Sequence, residues 1–202
     1  MKVLFFLIAI ICSLSCQRKS QKSIVEKDIP IWYENKPDLF YQLISKKSKQ
    51  LKLDKLENGF DSLQIRIWYD FALSNKDKLL ILKYKNSKWK GFYYSLNVEW
   101  NAYKLTNKVK KARKFEVQPK SGWESFITKI FENKIESLPN MKDINGLVDR
   151  WSDGKTYSIE IATKSKYRFY KYHLPEKFLE FEEVKNMTEI LKVIESEFGI
   201  KR

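Results

Sequence analysis

Gln64-Ile65-Arg66-Ile67-Trp68-Tyr69-Asp70-Phe71-Ala72-Leu73 opens the stretch whose period decides the fold. Ile65, Ile67, Tyr69, Phe71 and Leu73 alternate with Arg66, Trp68 and Asp70, which places apolar side chains on one face of a strand. Ser74-Asn75-Lys76-Asp77 then reads as a turn, Leu79 to Tyr84 as a second strand and Lys85-Asn86-Ser87 as another turn. Lys88 to Trp100 follows as a third strand, with Phe92, Tyr94, Leu96, Val98 and Trp100 on one face. Connections of three or four residues leave no room for a parallel crossover, so these strands form an antiparallel meander.

Downstream, Lys104, Lys108, Lys110, Lys111, Arg113 and Lys114 form a basic run with no acid between them, which reads as a solvated loop. Phe115 to Gln118 is a short strand closed by Pro119. Ser121 and Glu124 have the spacing of a capping box, and Phe126, Ile127, Ile130, Phe131, Ile135 and Leu138 give the helix behind it a broad apolar stripe ending before Pro139. After a loop over 140–152, Asp153-Gly154 opens a hairpin of Thr156 to Thr163 and Tyr167 to Leu174. Glu176 to Glu183 reads as an acidic connector, and Asn186 as the cap of a last helix that Gly199 stops.

Upstream, Asn35, Pro37 and Asp38 precede Leu39, Phe40, Leu43 and Ile44, the signature of a short capped helix. Residues 48–59 carry no clear period. Residues 16–30 are polar and read as a tether, leaving 31–202 as one domain. The expected fold is α+β: an antiparallel sheet of meander plus hairpin, with about three helices packed mainly on one face.

The chain has 202 residues, 39 Lys and Arg against 25 Asp and Glu, a net charge of +14, one histidine (His173) and two cysteines. Cys12 and Cys16 both lie at the extreme N-terminus, so the body of the chain has no thiol for nucleophilic, zinc-finger or redox chemistry. A single imidazole excludes a His-rich metal site. Fingerprints for nucleotide cofactors and the Gly-x-Ser-x-Gly nucleophile elbow are absent from the sequence, so no cofactor and no catalytic residue is assigned. Glu176, Glu180, Glu182 and Glu183 lack the Asp, Asn and Gly rhythm of a calcium loop.

Lys2, the apolar run Val3 to Ile11 and the small residues before Cys16 make a secretory signal, too short for the roughly 20 apolar residues of a membrane span. Ser15-Cys16 resembles the lipobox of bacterial lipoproteins, with Leu14 one place later than that pattern prefers. The expectation is removal of residues 1–15, acylation of Cys16 and a lipid-anchored protein of the cell envelope, with membrane lipid as its first partner. Export makes nucleic acid a poor partner despite the positive charge. The basic residues Lys108, Lys110, Lys111, Arg113 and Lys114 would suit lipid headgroups or lipopolysaccharide.

The blocks Glu99-Trp100-Asn101-Ala102-Tyr103-Lys104-Leu105-Thr106-Asn107, Ser121-Gly122-Trp123-Glu124-Ser125-Phe126 and Asp153-Gly154-Lys155-Thr156-Tyr157-Ser158-Ile159-Glu160, with Tyr167 to Tyr172 after them, resemble an uncharacterised family of Bacteroidota-type envelope lipoproteins. The likeness spans roughly residues 60 to 200 and implies a compartment without implying any chemistry.

Two function classes follow. The first is a non-enzymatic binding domain that holds an envelope protein on a sheet face carrying Trp68, Arg168, Tyr170 and Tyr172, rings that a one-sided helix layer would leave exposed. The second is an envelope hydrolase using the loop carboxylates Asp149 and Asp153. His173, at the end of its strand, reads as a sheet-rim residue.

Overall fold

The computed structural model describes residues 24–71, 74–101, 106–148 and 153–201. One seven-stranded sheet organises them: β1 (Glu26–Asp28), β2 (Leu63–Phe71), β3 (Lys76–Lys85), β4 (Lys88–Asn101), β5 (Thr106–Val117), β6 (Lys155–Thr163) and β7 (Lys166–His173), in the order β1-β7-β6-β2-β3-β4-β5. Every pairing is antiparallel except β1 with β7. The helices are α1 (Leu39–Gln50), α2 (Trp123–Glu132) and α3 (Glu182–Phe198). The α+β class read from the sequence is therefore the class of the structure.

The layers differ from the expectation. Side chains alternate across each strand, so Ile65, Ile67 and Tyr69 of β2 join Leu80 and Leu82 of β3, Ile159 and Ile161 of β6, and Tyr170 and Tyr172 of β7 on one face. There they pack against Phe126 and Ile130 of α2 and Val184, Met187, Ile190, Leu191 and Ile194 of α3. Trp68, Leu79, Ile81, Leu96, Ala162, Tyr167 and Phe169 occupy the opposite face, with Ile44 of α1 and Leu56. Helices thus cover both faces, and the side of β2 read as solvent-facing is closed: Arg66 is 1% and Trp68 0% exposed.

Local signals explain most element boundaries. Asp38 caps α1, its Oδ1 accepting from the Phe40 N–H at 2.8 Å. Gly199, at φ 68°, ends α3 in the left-handed conformation that Gly adopts without a Cβ penalty. Gly91 is required by a close approach, because a Cβ there would meet the Val117 carbonyl oxygen at 2.8 Å and the Trp123 ring at 2.9 Å. That gap lets α2 settle onto β4.

Five details correct the sequence reading. β3 begins at Lys76, inside the expected turn. The basic run is no loop but most of β5, a twelve-residue edge strand whose Lys and Arg hid its period. The capping box does not form: Gly122 is the cap of α2, and the Ser121 N–H and hydroxyl donate to Glu197 at 2.8 and 2.7 Å. α2 ends at Glu132, short of Leu138, and α3 starts at Glu182, ahead of Asn186, with Glu182 and Glu183 favourably placed in its first turn. Finally, Glu26–Asp28, within the expected tether, pairs with Lys166, Tyr167 and Arg168.

Candidate functional site

The antiparallel order brings the C-terminal ends of β2, β4 and β7 and the N-terminal ends of β3, β5 and β6 to one end of the sheet. Over that end, on the α1 face, a cavity of about 330 Å³ opens. Leu39, Phe40 and Leu43 of α1 form its roof, with Phe71, Val98 and Trp100 as further apolar walls. Its polar lining is Asp70, Ser74, Asp77, Asn107, Asp153, Thr156 and His173. A register shift in the β4–β5 pairing between Asn97 and Val98 lies at this end. Gly154, at φ 145°, passes so close to Leu174 that a Cβ would lie 2.6 Å from that side chain.

The electrostatics centre on Lys47. Its side chain extends from the buried stripe of α1 and is 1% exposed. Its Nζ donates to Asp70 Oδ1 and, at 2.9 Å, to Asp77 Oδ2, and lies 5.5 Å from the Trp68 ring centroid. Burial pulls the ammonium down, but the two carboxylates outweigh it and hold Lys47 above the ordinary lysine range. Burial, then the neighbouring Asp70 charge, pushes the Asp77 carboxyl up to about 6 although Lys47 opposes both. One ammonium faces two carboxylates, and Asp70 Oδ2 is buried without a hydrogen-bond partner.

Two more lining residues carry buried polar atoms without partners. His173 Nδ1 lies 2.9 Å from the Thr156 hydroxyl, while its Nε2 is unpaired. Asn107 Oδ1 is unpaired too, although the Asn107 carbonyl accepts from Gln50 Nε2 at 3.2 Å. Buried polar atoms are ordinarily satisfied, and these three unpartnered atoms belong to residues that line one cavity. At the rim, Lys171 pairs with Asp38 at 2.9 Å and sits 4.3 Å from the Phe40 ring centroid.

Two larger hollows have a different lining. One of about 690 Å³ beside Trp100 is wider and holds the exposed Lys110–Glu99 pair at 2.6 Å. Another, of about 710 Å³, lies along Trp89 and Trp123, which stack on each other.

The residues expected to form a binding face are not brought together. Trp68 is buried on the α1 side, its indole donating to Glu160 at 2.7 Å. Tyr170 and Tyr172 are buried on the opposite side, and the Tyr170 hydroxyl donates to the Ile135 carbonyl at 2.7 Å. Arg168 shares the Tyr170 side and is held by Asp28 at 2.8 Å and by the carbonyls of Glu136 and Leu138. Helices on both faces remove the exposure that reading required. The basic residues Lys108, Lys110, Lys111, Arg113 and Lys114 are exposed. Lys108, Lys111 and Arg113, opposite Glu99, Asn97 and Ser95, share one face of the edge strand, whereas Lys114 lies over Phe92 at 4.2 Å on the other. Cys16, Lys104 and Asp149 lie outside the described residues, whereas Asp153 does line the cavity.

Lys47, Asp70, Asp77 and Asn107 escaped the sequence reading. One signal was available: Leu43, Ile44, Lys47 and Ser48 share a helical stripe, and a lysine on an apolar stripe requires a buried partner. Among the described residues no three His, Asp or Glu side chains gather closely enough to hold a metal ion, and no helix is long and apolar enough to cross a membrane. No family model matches the chain, and no curated protein matches it.

Proposed function

We propose that this chain is a non-enzymatic binding protein, tethered to the membrane of the cell envelope through acylated Cys16, and that the cavity under α1 holds a small polar molecule. The observation that carries the reading is the set of buried, unpartnered atoms Asp70 Oδ2, Asn107 Oδ1 and His173 Nε2 on the lining residues of one cavity of about 330 Å³. A volume at the small end of ligand sites, mixed aromatic walls and a few convergent polar groups suit a small molecule better than a peptide.

Native mass spectrometry of the full chain after incubation with the small-molecule fraction of an envelope extract tests it. A bound mass that disappears in Asp153→Trp, which fills the mouth, is expected. Retention of the same mass in that variant overturns the cavity as the site. The anchor is tested separately: Cys16→Ala should leave the membrane fraction, and a variant that stays there overturns the tether.

A hydrolase is the second reading, favoured by the placement of Asp153 on the same cavity as Asp70 and Asp77. A buried carboxyl near 6 holds a proton close to neutral pH and releases it readily, as a general acid must. It requires turnover of a glycoside or ester that Asp77→Asn abolishes; an unchanged rate removes it.

A further inference from the structure

We propose that the face of β5 carrying Lys108, Lys111 and Arg113 is a docking surface for an anionic phospholipid bilayer. This surface is separate from the cavity and takes only its setting, a protein held at a membrane, from the Cys16 tether proposed above. The register carries the basic face over three strands. Lys78 of β3 lies beside Ser95 of β4, which lies beside Arg113 of β5, and Lys76, Asn97 and Lys111 form the next row. Residues paired in register point to the same side of a sheet, and here that is the side of Leu80 and Leu82, where α2 and α3 pack.

The helices leave this corner of the face open. The C-terminal end of α3 meets the sheet at Lys78, Tyr93 and Val117, where Phe198 and Ile200 line a hollow of about 230 Å³ with them. Beyond that border Lys76, Asn97, Lys111 and Arg113 are exposed. Each row thus has a cation at both ends and a small polar residue between. The Cα atoms of the cationic residues are roughly 10 Å apart across the strands and roughly 7 Å apart along them.

Neither row contains an acid. Glu99, beyond them, stands opposite Lys108 and pairs with Lys110 at 2.6 Å, so its charge is already matched. The field at the α3 border is positive too: burial and then Lys155 pull the Lys78 ammonium below the ordinary lysine range, Lys201 adds to them, and Glu195 opposes. Like charges gathered on one face repel each other, and a plane of lipid phosphates supplies counter-charge to all of them at once. In the row on the other side, Phe115 is 48% exposed and stacks on Tyr93 with ring centroids 6.2 Å apart. Rings beside lysine and arginine suit the boundary between headgroups and acyl chains, which a soluble polyanion does not have.

The test uses the full chain with Cys16→Ala, so that no acyl chain holds it, and vesicles of phosphatidylcholine alone or mixed three to one with phosphatidylglycerol. The difference between the two vesicles is the readout, because the apolar run Val3 to Ile11 meets both. The mixed vesicles are expected to bind about tenfold or more tighter, a preference that falls steeply as salt rises from about 0.05 M to about 0.3 M. Lys76→Gln, Lys111→Gln and Arg113→Gln together should remove most of it, and because all three positions are exposed the urea unfolding midpoint should not move. Lys85→Gln, Lys88→Gln and Lys90→Gln take the same charge from exposed positions on the opposite face, the side of Ile81, and should weaken binding less than about threefold. Equal losses from the two triple variants overturn the surface, since net charge then accounts for the binding. Equal binding to the two vesicles overturns it as well. Tighter binding of a free oligothymidylate than of the mixed vesicles, lost in the first triple variant, overturns the bilayer as the occupant. None of these results bears on the tether, which membrane fractionation of Cys16→Ala tests separately.

Discussion

Against α2 and α3 the sheet sets Ile65, Ile67, Leu80, Leu82, Ile159 and Ile161, a core made almost wholly of aliphatic and aromatic side chains. Against α1 it sets Trp68, Leu79, Ile81 and Phe169 among ionised groups: Lys47 with Asp70 and Asp77, and Arg66 with Glu160 at 3.7 Å. Glu160 there also accepts from the Trp68 indole at 2.7 Å and the Tyr167 hydroxyl at 3.1 Å. Apolar burial is non-directional and forgiving, whereas each buried charge demands particular partners. A fold that needed only stability would have two faces like the first. The charged face is also the face on which the cavity opens.

The sharpest way to break this comparison is Glu160→Ala. It leaves the Arg66 guanidinium buried without its carboxylate and removes the acceptor of Trp68 and Tyr167, so a loss of about 4 kcal/mol is expected in urea unfolding. Replacing both partners with Arg66→Met and Glu160→Leu should recover most of that loss, since a well-packed apolar pair of similar volume is about as stable. If the single variant loses less than about 1 kcal/mol, the α1 face is not a charged core in the energetic sense.

Next in size is Ile190→Ala in α3, on the dry face. Truncating a fully buried aliphatic chain should cost about 3 kcal/mol from lost transfer free energy and the cavity left behind. A second apolar substitution there, Ile190→Leu, should cost under about 1.5 kcal/mol, whereas no neutral replacement of Glu160 alone is so mild.

Asp77 sharpens the comparison through pH. Its carboxyl is raised from an ordinary 3.8 to about 6, so the folded chain binds this proton more tightly than the unfolded one. Between those values the unfolded state binds fewer protons, and stability from this group therefore rises as pH falls from about 6 towards 4 and is flat below. The slope is at most about 1.4 kcal/mol per pH unit. The difference between the wild-type and Asp77→Asn stability curves isolates it; parallel curves across that window would show that Asp77 is not strained by Asp70 and burial.

The smallest effect is expected at the sheet edge. Lys108→Gln and Lys111→Gln on β5 should change stability by no more than about 0.5 kcal/mol, because both side chains are exposed. A larger change would mean that the edge strand's charges hold the fold, in the manner of the α1 face.

Much of the architecture was legible in the sequence. The alternation from Ile65 to Phe71 and the turns around Asn86-Ser87 and Lys164-Ser165 are local patterns, and the strands lie close to where those patterns put them, β3 extending back to Lys76. Asp38 and Gly199 marked helix ends by short-range chemistry. β5 was missed because Lys108 to Lys114 carry charge at nearly every position, and an exposed edge strand has little apolar face to betray its period.

The site was not legible. Lys47 lies 23 residues from Asp70 and 30 from Asp77, and those three meet only because α1 crosses the sheet on the side opposite α2 and α3. Period-two alternation says that a strand has two faces; it does not say what covers each. The covering decides whether Trp68, Tyr170 and Tyr172 are rings for a partner or rings for a core. By itself the sequence determined β2 to β4, the β6–β7 hairpin, the three helices and the antiparallel pairing of those neighbours, since these depend on interactions a few residues apart. The tertiary structure alone decided which charges are buried, which of them meet, and where the sheet leaves a cavity, because those outcomes depend on contacts between segments far apart in the chain.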